Sequence, residues 1–130
     1  MEKRTIDPWK WGVYTNSVQA VEVCQPAGTL YCSGQAAIDE TGAPSAADMR
    51  SQLTLTLKNL EQLIAESGYE LSGIVRLNVF TTSTSDFFAS CGDLYAEWLR
   101  KNGIRQCTSF IEVRGLYATL NVELEATAVR

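Results

Sequence analysis

The chain has 130 residues, 45% hydrophobic and 20% charged, which suits one soluble globular domain over residues 1–130 with a proper core. Its net charge is -4, a balance that weighs against counterion-driven nucleic-acid binding. It contains no histidine, which excludes Ser-His-Asp and Cys-His catalysis and the usual histidine-based metal sites.

The N-terminal segment carries an aromatic lead-in, Pro8-Trp-Lys-Trp11, which either closes a cleft or packs an N-terminal arm. Val18 to Cys24 alternates, with Val21 and Val23 flanking Glu22, and predicts a strand. Pro26 to Gly28 reads as a turn and Thr29 to Ser33 as the next strand, so these two strands are expected to form a hairpin. The strand ends in Ser33-Gly34-Gln35. A hydroxyl and bare backbone at a strand end are a common floor for a small-molecule site.

Ser45 is the expected N-cap of a helix, with Asp48 in a capping-box position. Met49, Leu53, Leu57, Leu60 and Ile64 recur at helical spacing, and Gly68 stops the helix. Ile74 to Thr81 predicts a strand with Val75, Leu77 and Val79 on one face and Arg76, Asn78 and Phe80 on the other. A second helix starts at Thr84 or Ser85, carries Phe87, Cys91, Leu94, Trp98 and Leu99 on one stripe, and stops at Gly103.

Thr108 to Arg114 and Thr119 to Val129 are the last strands. Only Gly115 to Ala118 separates them, so an antiparallel hairpin is expected. The order is β-β-α-β-α-β-β, an α+β layer with two helices on one face of a mixed sheet. The other face holds Arg76, Asn78, Phe80, Glu123 and Glu125 among apolar neighbours, and packing it against symmetry mates is the natural solution.

The four cysteines, Cys24, Cys32, Cys91 and Cys107, form no CxxC pair and fit neither a zinc site nor a disulfide scaffold. They read as reduced, mostly buried thiols of a cytoplasmic protein. No apolar run approaches the roughly 20 residues that span a bilayer, and the first residues lack the apolar stretch of a secretory signal.

Ser33-Gly34-Gln35, Leu57-Lys-Asn-Leu60, Val79-Phe80, Asp86-Phe87 and Val122-Glu-Leu-Glu-Ala126, in this order and spacing, together resemble the Rid family of reactive intermediate deaminases, also known as L-PSP endoribonuclease-like proteins. The resemblance implies a chorismate-mutase-like fold and a homotrimer with three clefts between subunits. It further implies cofactor-free hydrolysis of enamines and imines to a keto acid and ammonia. An arginine would clamp the substrate carboxylate, and a glutamate would orient the attacking water. A tyrosine, a serine and an asparagine would complete the pocket.

By resemblance Tyr14 takes the tyrosine position, Ser33 the serine position with Gly34 beside it, and Glu123 the glutamate position. Cys91 falls where the asparagine is expected and Thr108 where the arginine is, with Phe110 nearby on the same strand. Three readings stay open for the missing clamp. Arg105 shifts into the cleft, which needs a bulge. Arg76 or Arg114 substitutes, although both read more simply as partners of Glu112, Glu123 or Glu125. Or the substrate is less acidic or larger, with Thr108 and Ser109 offering hydroxyls; an aminomuconate-type enamine fits that description.

Period-2 alternation puts Glu123 and Glu125 on one face, so both can equally be solvated or ion-paired. Cys91 and Cys107 invite a nucleophile reading, but Cys91 lies on the apolar stripe, where core packing is the simpler role. The expected function is a Rid-like deaminase of a small molecule in an intersubunit cleft. The alternative is a trimer that holds a metabolite without turnover. The acidic balance and the lack of histidine count against a ribonuclease.

Overall fold

The computed structural model describes the backbone of residues 1–130 and every side chain but that of Val13. The strands are β1 (Glu2–Ile6), β2 (Ala20–Cys24), β3 (Thr29–Tyr31), β4 (Gln35–Ala36), β5 (Ile74–Thr81), β6 (Phe110–Glu112) and β7 (Val122–Val129); the helices are α1 (Met49–Glu66) and α2 (Thr84–Lys101). A five-stranded sheet runs β3-β7-β5-β6, with β4 pairing β7 beside β3; β1 and β2 make a separate two-stranded sheet.

Both helices lie on one face of the larger sheet. α1 buries Met49, Leu53, Leu57, Leu60 and Ile64, and α2 buries Phe87, Cys91, Tyr95, Trp98 and Leu99. These meet Leu77 and Val79 of β5 and Val122, Leu124 and Ala126 of β7 in one core cluster. Burying such side chains contributes roughly 1.5–3 kcal/mol each, so the stripe that defines each helix also anchors it to the sheet. The alternation foreseen for β5 holds, with Leu77 and Val79 buried and Arg76 exposed. This is the expected α+β layer.

Both expected hairpins are absent. β2 pairs antiparallel with β1, through Lys3↔Val23 and Thr5↔Val21, while β3 pairs with β7, through Thr29↔Val129 and Tyr31↔Thr127. The Pro26–Gly28 turn is instead tied to the C-terminus, where Gly28 N donates to Arg130 O and Arg130 N to Gly28 O. At the other end β6 joins β5 in parallel, Val79↔Phe110, and β7 lies on the opposite side of β5, Phe80↔Glu123. The chain β5–α2–β6 is thus a crossover unit, which returns a strand parallel to its start. β5 fills the space between β6 and β7 and leaves them no shared edge.

The N-cap of α1 is Asp48, whose carboxylate accepts from Ser51 N at 2.8 Å. Ser45 accepts from Ala47 N instead, one turn too early to cap the helix. Ser83 caps α2, with Asp86 in its first turn and Arg100 and Lys101 in its last, charges that suit the helix dipole. Gly68 and Gly103 take φ values of +77° and +63° just past the two helices, as a left-handed stop requires.

Candidate active site

The face of the sheet away from the helices carries Glu123. Its backbone stands between Ala36 of β4 and Phe80 of β5, and its carboxylate lies against Gly34. A Cβ at residue 34 would come to 2.5 Å from Glu123 Oε2 and 2.6 Å from Cδ. Only a residue without a side chain lets the acid lie there. Burial, and then the like charge of Glu125, pushes the Glu123 carboxyl above its ordinary value of 4.5.

Asn59 fastens the floor of this site. Its Nδ2 donates to Ala36 O at 2.9 Å and to Ile38 O at 2.8 Å, pinning the strand end after Ser33-Gly34-Gln35 to α1. This residue belongs to the Leu57-Lys-Asn-Leu60 motif, yet its role is invisible without the fold. A lone polar residue on a helix reads as solvated surface. Ser33 is exposed in the loop between β3 and β4, and its carbonyl accepts from Gln35 Nε2.

Farther along the same face, Asn78 Nδ2 donates to Glu125 Oε1 at 3.4 Å and its Oδ1 accepts from Ser109 N. Among the described residues the ion pairs are Arg4–Glu22, Arg50–Asp93 and Arg100–Glu97. Neither Arg76 nor Arg114 joins one, and Glu112 instead accepts from Thr84 N at the start of α2. The cross-sheet pairing expected for those arginines is therefore not seen among the described residues, because α2's free N–H groups hold Glu112.

Thr108 and Phe110 sit on the helix side of the sheet. Phe110 stacks among Phe87, Phe88 and Tyr95, with centroids 4.9–5.8 Å apart. Thr108 Oγ1 accepts from Gln106 Nε2 at 3.0 Å. Beside them the Tyr95 hydroxyl is pushed up to about 12 by burial, with Thr108 and Gln106 pulling weakly the other way. Those two neighbours influence it without meeting hydrogen-bond geometry, since Tyr95 Oη and Gln106 Oε1 are both buried and unpartnered. The place where the resemblance sets a guanidinium thus holds a neutral polar knot.

One chain does not bring all the expected residues together. Gly34 and Glu123 meet; Thr108 and Phe110 lie on the sheet's other side. Tyr14 ends a short 3-10 turn and is 85% exposed. Cys91 is fully enclosed in the core, so it offers nothing to a ligand in this chain, because the apolar stripe of α2 turns it inward. Burial also raises its thiol, opposite to what a nucleophile needs. Cys107 donates its thiol to Val75 O. Arg105 lines another cleft, between the N-terminal segment and the end of α2. Among the described residues no His, Cys, Asp and Glu group could hold a metal ion, and no helix is long and apolar enough to cross a membrane.

Two helices on one face of a mixed sheet, with an acid over a glycine on the other, define an α+β domain of the chorismate-mutase-like kind. A match to the family described as endoribonuclease L-PSP spans residues 13–130, and the chain belongs to this family, the Rid proteins. The Rid-family protein YyfB of Yersinia pestis superposes with a TM-score of 0.85 at 27% identity over 100% of both chains. E. coli TdcF, solved with bound serine, gives a TM-score of 0.71 at 27% identity over 87% of each chain. The 2-iminobutanoate/2-iminopropanoate deaminase of Salmonella typhimurium is 29% identical over 98 residues, 75% of this chain and 77% of that protein. These relatives support a deaminase role of the Rid type.

Proposed function

We propose that the protein hydrolyses an enamine or imine without a cofactor, in clefts between the subunits of a homotrimer, with Glu123 orienting the water. The observation that carries this reading is the Glu123 carboxylate lying against Gly34 with its pKa raised. A raised carboxyl is a stronger base toward water, and it keeps a larger share of its acid form near neutral pH to pass a proton to the departing nitrogen. Water adds to the imine carbon while Glu123 takes one of its protons and hands it to nitrogen, giving a carbinolamine. Glu123 then takes the hydroxyl proton and passes it to nitrogen as the carbon–nitrogen bond breaks, so that a carbonyl product and ammonia leave.

A neighbouring copy is required by this reading, because Thr108 and Phe110 face away from Glu123 within one chain. The cleft would combine Glu123, Ser33 and Gly34 of one copy with Thr108 and Tyr14 of the next. With a hydroxyl at the clamp position, the favoured substrate is less acidic or larger than a small 2-imino acid, such as an aminomuconate-type enamine.

The test is to generate 2-iminopropanoate and a conjugated enamine enzymatically and to follow their loss by semicarbazide trapping and absorbance. Acceleration of the conjugated substrate, lost in Glu123→Gln, is expected. Full activity in that variant removes Glu123 from the mechanism, and a stable monomer in light scattering removes the intersubunit site. One feature favours a second reading, metabolite binding without turnover: Thr108 is already engaged by Gln106. Saturable binding with no hydrolysis of either compound would establish it.

A further inference from the structure

A second cleft lies away from Glu123, between the N-terminal segment and the C-terminal end of α2. It encloses about 480 Å³, within the range of roughly 300–1,000 Å³ usual for small-molecule sites. Its inner wall is fixed by bonds between distant segments. Val18 N donates to Gln106 O at 2.9 Å, and Gln106 Nε2 donates to Asn16 O at 2.9 Å.

Its charge is opposite to that of the chain. Lys10, Arg100 and Arg105 line it against one carboxylate, Asp7, in a protein of net charge -4. Arg100 is held by Glu97 at 2.6 Å, and Asp7 is tucked over Gly12, where a Cβ would stand 2.7 Å from its Oδ1. Lys10 and Arg105 remain, and among the described residues neither forms an ion pair.

The rim is aromatic. Trp9 lines the cleft and stacks on Trp11 with ring centroids 5.5 Å apart; the two are 53% and 51% exposed. Large exposed indoles are costly unless something covers them. Leu99 and Ile104 give the cleft an apolar wall. At its base Gln106 is 1% exposed, its side chain tying Asn16 O to Thr108 Oγ1 behind the cleft wall.

We propose that this cleft is a second binding site, distinct from the deaminase cleft, for a small planar aromatic carboxylate. The Arg105 fork and the Lys10 ammonium would take the carboxylate, and Trp9 would take the ring face. The site stands on its own residues and does not depend on the hydrolase reading.

The probe is 2-naphthoate, titrated into the full-length protein and followed by calorimetry and tryptophan fluorescence. Saturable binding is expected, weakened about tenfold or more by Arg105→Gln or by Trp9→Ala. Glu123→Gln should leave it unchanged. Uncharged 2-naphthylmethanol and inorganic phosphate should each bind about tenfold more weakly, since each lacks one half of the recognition. Both altered residues are exposed, and unchanged circular dichroism would confirm that the variants fold. The proposal is overturned if 2-naphthoate does not saturate, or if 2-naphthylmethanol binds equally well. Binding that is lost in Glu123→Gln but kept in Arg105→Gln would put the probe in the deaminase cleft and overturn it too.

Discussion

Gly34 and Glu123 touch where the loop before β4 passes over β7, so closely that a methyl group on residue 34 would stand 2.5 Å from Glu123 Oε2. The contact is with the far end of a flexible side chain, so the chain can accept Gly34→Ala by swinging the acid away. Stability should change by less than about 1 kcal/mol. Activity should suffer far more, because displacing a catalytic group by about 1 Å can cost on the order of 100-fold. The check is a comparison of kcat with the denaturation midpoint. Equal losses in both would mean that the glycine serves only the fold.

The pH dependence follows from the same acid. Burial first, then Glu125, holds Glu123 above its ordinary value of 4.5. The folded state therefore favours the protonated acid. That stabilisation is fully present below the unfolded value and is lost as pH rises through the folded value. The base form needed for attack appears over the same interval, so activity rises with pH while this part of stability falls. Glu125→Gln removes the like charge and should move the acid limb of the rate profile to lower pH. An unmoved limb would assign it to another group.

Asn59 supports the site from behind through its two bonds to Ala36 O and Ile38 O. Asn59→Ala takes one donor from each carbonyl, Ala36 O keeping only Ile38 N among the loop bonds, and should cost about 1–3 kcal/mol. The strand end bearing Gly34 should loosen, seen as faster amide exchange in residues 34–38. Unchanged exchange would show that β4–β7 pairing alone holds the floor.

The helices and the two-faced strand β5 are legible in the sequence because their signal is local. Met49 to Ile64 and Phe87 to Leu99 repeat at helical spacing, and each stripe is the buried one. Strand partners are different. β1 spells Glu-Lys-Arg-Thr-Ile and is nearly all exposed, so no alternation announces it. β3 skips its neighbour for β7, and β7 takes partners on both edges, choices made by distant segments. The Gly34–Glu123 contact depends on that pairing. The motif order brings both residues to notice, but only the register explains why one must be glycine. Thr108 shows the reverse: its position in the motif order is plain, while its half-buried place beside Gln106 and Tyr95 comes from how the segment just before β6 passes under α2.

Gly73 tests the join between β5 and the last strand. A Cβ there would lie 2.5 Å from Val129 O, which is backbone and cannot swing aside. Gly73→Ala should therefore cost about 1–3 kcal/mol through overpacking, read as a lower denaturation midpoint. An unchanged midpoint would show that the strands slide apart at no cost.

Thr108→Arg asks whether the missing carboxylate clamp decides the substrate. Thr108 now contributes a neutral hydroxyl held by Gln106, whereas a guanidinium forks onto a carboxylate with about twice the strength of a neutral hydrogen bond. The longer side chain must leave the knot with Gln106 and Tyr95, which lies under α2, and reach past the edge strand β6 toward the next copy. If the trimer reading is right, the KM for 2-iminopropanoate should fall about tenfold, with the pH limb of Glu123 unmoved. The KM for a less acidic enamine should stay the same or rise. The conservative partner, Thr108→Ser, keeps the hydroxyl that Gln106 holds and should leave both substrates near their starting values. If Thr108→Arg folds, assembles as a trimer and still does not favour the 2-imino acid, the hydroxyl at this position is not what sets the preference.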